Sequence, residues 1–329
     1  MSTPLMLDAD AVFASCAPSA AVAAITAALT GGLDPAADLP RQAVPLRSGQ
    51  FLLMPSEGAR GTAEGGGHVG VKVVTVAPGN PARGMPRVQA SYLLFDADTL
   101  GLVAVLDGTA LTTLRTPAVS VAAVAPRLLA GAAGAARLPA DAAVAVFGGG
   151  PQAHGHVATL AAALAPHRRL GPVRHLVRDP SRVRPVDGAE VVALDDPRVP
   201  DVLRAADVVV CATSARAPLF DADLIAATAT VIAVGSHEPD ARELPGALLA
   251  RATVVVEDVA TAQREAGDVV QALDEGALRA ADLVPMRDVV TGRTRPDPGR
   301  PLVFKSVGMS WEDLVVAEAV LRGFRTLRR

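Results

Sequence analysis

One stretch constrains this chain more than any other. A strand-like run, Ala142–Phe147, ends in Gly148-Gly149-Gly150 and passes directly into a helix-like run, Gln152–Leu164. Through Ala153 the turn reads G-x-G-x-x-A. The first glycine permits a tight turn, the second lets backbone N–H groups approach a pyrophosphate, and the alanine allows close helix–strand packing. Strand-like and helix-like segments then alternate: Val173–Val177, Glu190–Leu194, Val199–Ala206 (helical), Val208–Cys211, Val231–Val234 and Thr253–Val256. That order predicts a doubly wound parallel sheet of Rossmann type, covered by helices on both faces. A glycine turn with a strand before it and a helix after it points to a dinucleotide.

The second predicted strand is followed by Arg178-Asp179-Pro180-Ser181-Arg182. An acidic residue there grips the ribose hydroxyls of NAD, whereas an arginine suits the 2′-phosphate of NADP. Arg178 favours NADP (NADPH), and Asp179 keeps NAD open. The second Rossmann helix reads as shortened, because Ser181–Gly188 contains Pro185 and Gly188.

Upstream the pattern differs. Pro18–Thr30 reads as a helix ending at Gly31-Gly32. Short extended pieces follow at Gln42–Leu46, Phe51–Met54, Val69–Val76, Val88–Phe95 and Gly101–Leu106, separated by turn residues. They predict a mostly antiparallel sheet in an α+β domain. The glycine-rich run Gly58–Gly70 reads as a mobile loop, a candidate lid. Thr116-Pro117 reads as a helix start, a hydroxyl cap with proline first, for a helix reaching Ala130 and ending at Gly131. Ser310–Arg325 reads as an amphipathic helix.

Composition narrows the function. The chain has 329 residues, half of them apolar, with a net charge of -3. This fits two domains and argues against nucleic acid or an anionic membrane as partner. Two cysteines, Cys16 and Cys211, exclude a disulfide scaffold and fit a reducing, cytoplasmic setting. No basic, apolar leader and no membrane-length apolar run is present. Of 31 basic residues only Lys72 and Lys305 are lysine; the other 29 are arginine. Lysines that persist in such a chain mark sites where a wide, permanently charged fork will not serve. No metal is expected: His154 and His156, two apart on a helix, do not face together, and the cysteines lack ligand spacing. No G-x-S-x-G element supports a serine hydrolase.

Several segments, in order from Arg41 to Ala317, resemble the ornithine cyclodeaminase/μ-crystallin family. They are Gly70–Asn80, Leu111–Ala118, Gly150-Pro151-Gln152-Ala153 with His156, Ala212-Thr213-Ser214, Val234–Leu244, Glu265–Asp268 and Phe304–Gly308. The resemblance implies a substrate-binding and dimerisation domain at residues 1–117, an inserted Rossmann domain at 118–302, and a segment 303–329 returning to the first. It also implies a homodimer and a small imino- or amino-acid substrate. Arg41, Lys72 and Arg115 match the family's carboxylate-binding cations, with Arg47 a rival to Arg41. Gly148, Gly150, Pro151, Gln152 and Ala153 match the cofactor turn. Thr213 and Ser214 border the nicotinamide, and Ser306 and Gly308 lie near its carboxamide end.

Residue chemistry agrees in part. A planar carboxylate suits an arginine fork, with lysine as a nearby point charge. Lys72 sits in an otherwise apolar strand, where an unpaired charge is costly. One departure redirects the chemistry: where the family's cyclodeaminases carry a catalytic Asp, this chain has His237. Histidine donates protons as well as accepting them near neutral pH, which suits imine reduction. The expected activity is therefore NAD(P)H-dependent reduction of a small cyclic 2-imino acid, of the Δ1-pyrroline-2-carboxylate or Δ1-piperideine-2-carboxylate type. His237 and Lys72 are the candidate catalytic residues. Ornithine cyclodeamination with bound NAD is the runner-up. A non-catalytic holder of NADP and a small ligand is the third reading. Trp311 is a candidate pocket wall; Lys305 has motif membership alone.

Overall fold

The computed structural model describes residues 3–58, 67–129, 141–165, 167–184 and 188–329. The chain divides into two compact units, residues 1–115 with 309–329, and residues 116–308.

The first unit begins with β1 (Leu5–Leu7), α1 (Ala9–Ser15) and α2 (Pro18–Thr30). Proline at the first position starts α2, and Gly31 caps its end, as the sequence predicts. Five strands follow: β2 (Gln42–Leu46), β3 (Gly49–Glu57), β4 (His68–Val76), β5 (Val88–Asp96) and β6 (Leu102–Asp107). They form a sheet in the order β1-β6-β5-β4-β3-β2, antiparallel except for the β1–β6 pair. Of the expected lid, His68, Val69 and Gly70 belong to β4, and Gly58 and Gly67 are described beside it; residues 59–66 lie outside the described residues.

Side chains alternate across this sheet. Met54, Lys72, Val74, Tyr92, Leu94, Ala104 and Leu106 are buried on one face. Gly70 is required there, because a Cβ would lie 2.2 Å from the Tyr92 hydroxyl oxygen. The opposite face is also apolar. Leu53 pairs with Val73, Pro55 with Val71, Val71 with Leu93, and Leu93 with Val105, and these residues are half-buried.

Helix α3 (Gly108–Leu129) follows β6 without a loop. This corrects the expected start at Thr116. The side chain of Asp107 accepts from the Ala110 N–H at 2.8 Å and supplies the true cap, while Pro117 lies inside the helix. Arg115, just before the expected start, is therefore a helical residue. The expected end at Ala130-Gly131 lies outside the described residues.

In the second unit β7 (Asp141–Phe147) leads to α4 (Pro151–Leu164), β8 (Arg169–Val177), β9 (Ala189–Ala193), α5 (Val199–Arg204), β10 (Val208–Cys211) and β11 (Thr230–Ala233). Then come α6 (Gly246–Arg251), β12 (Thr253–Val256), α7 (Val259–Glu265), α8 (Gly267–Asp274), β13 (Leu283–Pro285), α9 (Met286–Val290) and β14 (Leu302–Lys305). The sheet is parallel, in the order β13-β12-β14-β11-β10-β7-β8-β9. Central strands such as Val208–Cys211 are buried at every residue, which explains their unbroken apolar sequence. Chain order reverses at β7, between β8 and β10. That opens a crevice at the strands' C-terminal ends. After β8 a single 3-10 turn, Pro180–Arg182, is described; residues 185–187 are not.

Helix α10 (Ser310–Leu327) returns to the first unit and packs on α1, α2, β3 and β4.

Candidate active site

The first unit carries a buried quartet of charges. Lys72 on β4 and Arg115 on α3 are 2% and 5% exposed; Glu312 and Asp313, in the first turn of α10, are fully buried. Lys72 Nζ donates to Asp313 Oδ2 at 2.7 Å. Arg115 Nη1 donates to Glu312 Oε2, and its Nε lies 3.3 Å from Asp313 Oδ1. Two acids in a helix's first turn face the positive end of its dipole. Burial, together with the Arg115 charge, lowers the Lys72 pKa to about 8, while Asp313 pulls it back up.

A third acid fixes this turn. Asp38 Oδ2 accepts from the Ser310 and Trp311 N–H groups at 2.7 and 3.1 Å, capping α10 from a distant loop. Burial pushes its carboxyl up to about 6, against the hydrogen bonds that stabilise the anion. Arg41, three residues further on, is half-buried just before β2, whereas its rival Arg47 is exposed in the β2–β3 turn. Tyr92, the direct cross-strand neighbour of Lys72, is fully buried, and its hydroxyl has no hydrogen-bond partner among the described residues. Trp311 is buried and lines a cavity of about 340 Å³ with Ser56, Leu314 and Glu318.

The second unit holds the glycine turn. Gly148 has φ +113°, and a Cβ there would lie 2.6 Å from the Ala212 carbonyl oxygen. Only glycine fits that crossing of β7 and β10. Gly150 is the N-cap of α4 and Pro151 its first residue; a Cβ at Gly150 would meet nothing within 4 Å, so the backbone is open to a ligand. Gln152 follows in the first turn, and Ala153 is fully buried beneath it. The turn opens on a cleft of about 710 Å³, lined also by Arg178, Asp179, Arg182, Thr213 and Ser214. Asp179 Oδ1 accepts from the Ser181 N–H and hydroxyl at 3.0 and 2.6 Å, while Arg178 and Arg182 are exposed beside it. Glycine turn, helix N-terminus and basic rim together fit a dinucleotide.

Buried acids tie the strand ends around this cleft. Glu243 Oε1 accepts from the Thr213 N–H and hydroxyl, each at 2.8 Å, and its Oε2 from the Gly235 N–H at 2.8 Å. Asp268 Oδ1 accepts from the Glu243 and Leu244 N–H groups, each at 2.7 Å. Lys305 at the end of β14 donates to the Ser236 carbonyl at 2.6 Å and pairs with Asp268 at 2.9 Å. Glu257 at the end of β12 accepts from the Ser306 hydroxyl and the Val307 and Gly308 N–H groups. The Ser306 hydroxyl is thus engaged in holding its own turn. Gly308 has φ +79°. Ser214 is exposed at the cleft, and His237 is exposed on the segment after β11.

A family model for the ornithine cyclodeaminase/mu-crystallin family matches residues 4–325. The chain belongs to the ornithine cyclodeaminase/mu-crystallin family. A family member from Azospirillum brasilense, a Delta(1)-pyrroline-2-carboxylate/Delta(1)-piperideine-2-carboxylate reductase, is 34% identical over 278 residues, 83% of this chain and 81% of the relative. The mouse ketimine reductase mu-crystallin is 32% identical over 257 residues, 76% of this chain and 74% of the relative. Among solved structures, Delta(1)-pyrroline-2-carboxylate reductase from Thermococcus litoralis has a TM-score of 0.80 at 23% identity, covering 98% of each chain, and shows the fold. A probable ornithine cyclodeaminase from Bordetella pertussis has a TM-score of 0.79 at 28% identity, covering 99% of this chain and 98% of that one.

Within the family frame, the sequence pointed to the cations and missed their partners. Glu312 and Asp313 interrupt an otherwise apolar start to α10, and that interruption was the available signal. Asp38, Glu243, Glu257 and Asp268 carry no such signal, because their partners are chiefly backbone N–H groups.

Proposed function

We propose that this chain reduces a small cyclic 2-imino acid, of the Δ1-pyrroline-2-carboxylate or Δ1-piperideine-2-carboxylate type, to the cyclic amino acid. The observation that carries this is the buried quartet: two cations from different elements, Lys72 and Arg115, held against Glu312 and Asp313 on one turn of α10. The reductase names of the relatives at 34% and 32% identity support it.

Arg115 and Lys72, with Arg41 on the Asp38 loop, bind the substrate carboxylate. The planar fork of Arg115 matches the geometry of a carboxylate, and Lys72 adds a compact point charge beside it. In the second unit the glycine turn and the tied strand ends hold the cofactor, which when bound supplies the hydride. A protonated imine nitrogen makes the adjacent carbon more electrophilic; the proton comes from Lys72 or from His237.

NADP is the preferred cofactor. Asp179 is engaged with Ser181, so the cleft presents Arg178 and Arg182 to a 2′-phosphate. The working form is a homodimer that covers the apolar outer face of the first sheet, which antiparallel sheets otherwise leave polar. An alanine dehydrogenase of this fold is itself described as a dimer. No single described helix is long and apolar enough to cross a membrane, and with two buried free thiols the cytoplasm is the proposed location.

The test is a spectrophotometric assay of purified protein. NADPH should be consumed with the cyclic imino acids, and ornithine should release no ammonia. Ammonia from ornithine without net cofactor change would overturn the proposal in favour of cyclodeamination. Cofactor binding without turnover of either substrate would favour a ligand-holding protein. His237→Ala should slow imine reduction severalfold; wild-type rates across pH would remove its role.

A further inference from the structure

The substrate clamp contains more than its cations. Lys72 and Arg115 lie on different elements, far apart in sequence, yet both end on one turn of α10. Asp313 touches both: Oδ2 accepts from Lys72 at 2.7 Å, and Oδ1 lies 3.3 Å from Arg115 Nε. Glu312 takes the other side of Arg115. Asp38 pins the same turn through its backbone N–H groups. With a partner this close, a buried ammonium keeps its charge and direction; without one, it loses its proton or moves.

We propose that Asp313 is the positioning residue of this site: it holds the Lys72 ammonium charged and directed, so that Lys72 carries the proton delivered to the imine nitrogen. This rests on the imine-reductase reading. In the step an Nζ–H bond of Lys72 breaks, an N–H bond forms on the imine, and the imine carbon takes the hydride. The neutral Lys72 amine then regains a proton from solvent. Glu312 has a separate task, orienting Arg115 toward the substrate carboxylate.

Among the described residues, the charged groups that act on Lys72 come from two helices. From α10 they are Asp313 and Glu312; from α3, Arg115. Its strand neighbours are Tyr92 on β5 and Met54 on β3. Arg115 repels the ammonium, and Tyr92 and Met54 bring no charge. Asp313 is therefore the chief group opposing burial at Lys72, and Glu312 adds a weaker attraction.

The chain's own composition provides a direct readout. Its only lysines are Lys72 and Lys305, so protein labelled with ¹³C at the lysine ε-carbon gives two side-chain signals, assigned with Lys305→Arg. In wild type the Lys72 signal should titrate near the alkaline limb of kcat. In Asp313→Asn its midpoint should fall by about one unit or more, and the limb of kcat should move with it. Glu312→Gln should raise KM for the imino acid and move the midpoint by less than half as much. An unchanged midpoint in Asp313→Asn would overturn the pairing, whatever the substrate. A shifted midpoint in a protein that reduces no imino acid would leave the pairing standing and sink the functional reading. Should Asp313→Asn not fold, Asp313→Glu decides. It keeps the charge but moves the carboxylate by one methylene, so the midpoint should stay and kcat should fall about tenfold or more. Wild-type kcat in that variant overturns the positioning role.

Discussion

Replacing Lys305 by methionine keeps the side chain's length and deletes its ammonium. In the fold that ammonium donates to the Ser236 carbonyl and pairs with Asp268 at 2.9 Å, with 1% of the residue exposed. At an effective dielectric of about 20 the pair attracts by about 6 kcal/mol before desolvation is counted. Removing one partner of a buried pair typically costs about 3–5 kcal/mol, because the other charge stays buried. Asp268 keeps two backbone N–H donors, so the lower end, about 3 kcal/mol, is expected. Glu243 loses the cation that pulls its raised carboxyl pKa down, and it is Glu243 that holds the Thr213 segment. Lys305→Met should therefore also weaken NADPH binding, by about tenfold. Chemical denaturation measures the first effect and fluorescence titration with NADPH the second. Lys305→Met with Asp268→Asn should be more stable than Lys305→Met alone, since the stranded anion is gone. A loss below about 1 kcal/mol with unchanged NADPH affinity would refute the reasoning.

Lys72→Arg keeps a positive charge but puts a larger group that does not give up its proton into a site 2% exposed; kcat should fall about a hundredfold, and steady-state kinetics checks it. His156 is fully buried between the Gln152 carbonyl and Ser120, and burial lowers its pKa from 6.5 to about 4. Its contribution to stability is complete above 6.5 and is lost as pH falls through 4, a change of about 3 kcal/mol. Unfolding at several acidic pH values should show this dependence flattened in His156→Gln. Arg178→Ala should weaken NADPH about tenfold and leave NADH nearly unchanged, as read by cofactor titration. Leu93→Arg, in the middle of the outer sheet face, should turn dimer into monomer in analytical ultracentrifugation; a dimer of unchanged affinity would remove that face from the interface.

The two sheets were legible for different reasons. Strands buried on both faces show as unbroken apolar runs, and the glycine turn is dictated by a backbone crossing that only glycine allows, so β7, α4 and β10 could be read locally. The start of α3 could not. Pro117 imitates a first helical residue, and the real cap, Asp107, is at once the last residue of a strand. Short β13 and β14 also escaped, the first ending in proline and the second in a buried lysine. At the site, the cations were legible because a charge in an apolar strand stands out. Their partners were not: the Lys72–Asp313 and Arg115–Glu312 pairs join residues 241 and 197 positions apart, and no local pattern encodes such a meeting.

The burial of both lysines gives the folded molecule an unusual exterior. Lys72 and Lys305 are 2% and 1% exposed, so every basic side chain on its surface is a guanidinium or an imidazole, and none is an ammonium. Enzymes and bulky reagents that modify primary amines should find no side-chain target on the native surface; only a reagent small enough to enter the substrate site would reach Lys72. Lysine acetylation requires the fold to open first. The rate at which an amine reagent modifies Lys305, which lies outside the substrate site, is thus a clock for opening.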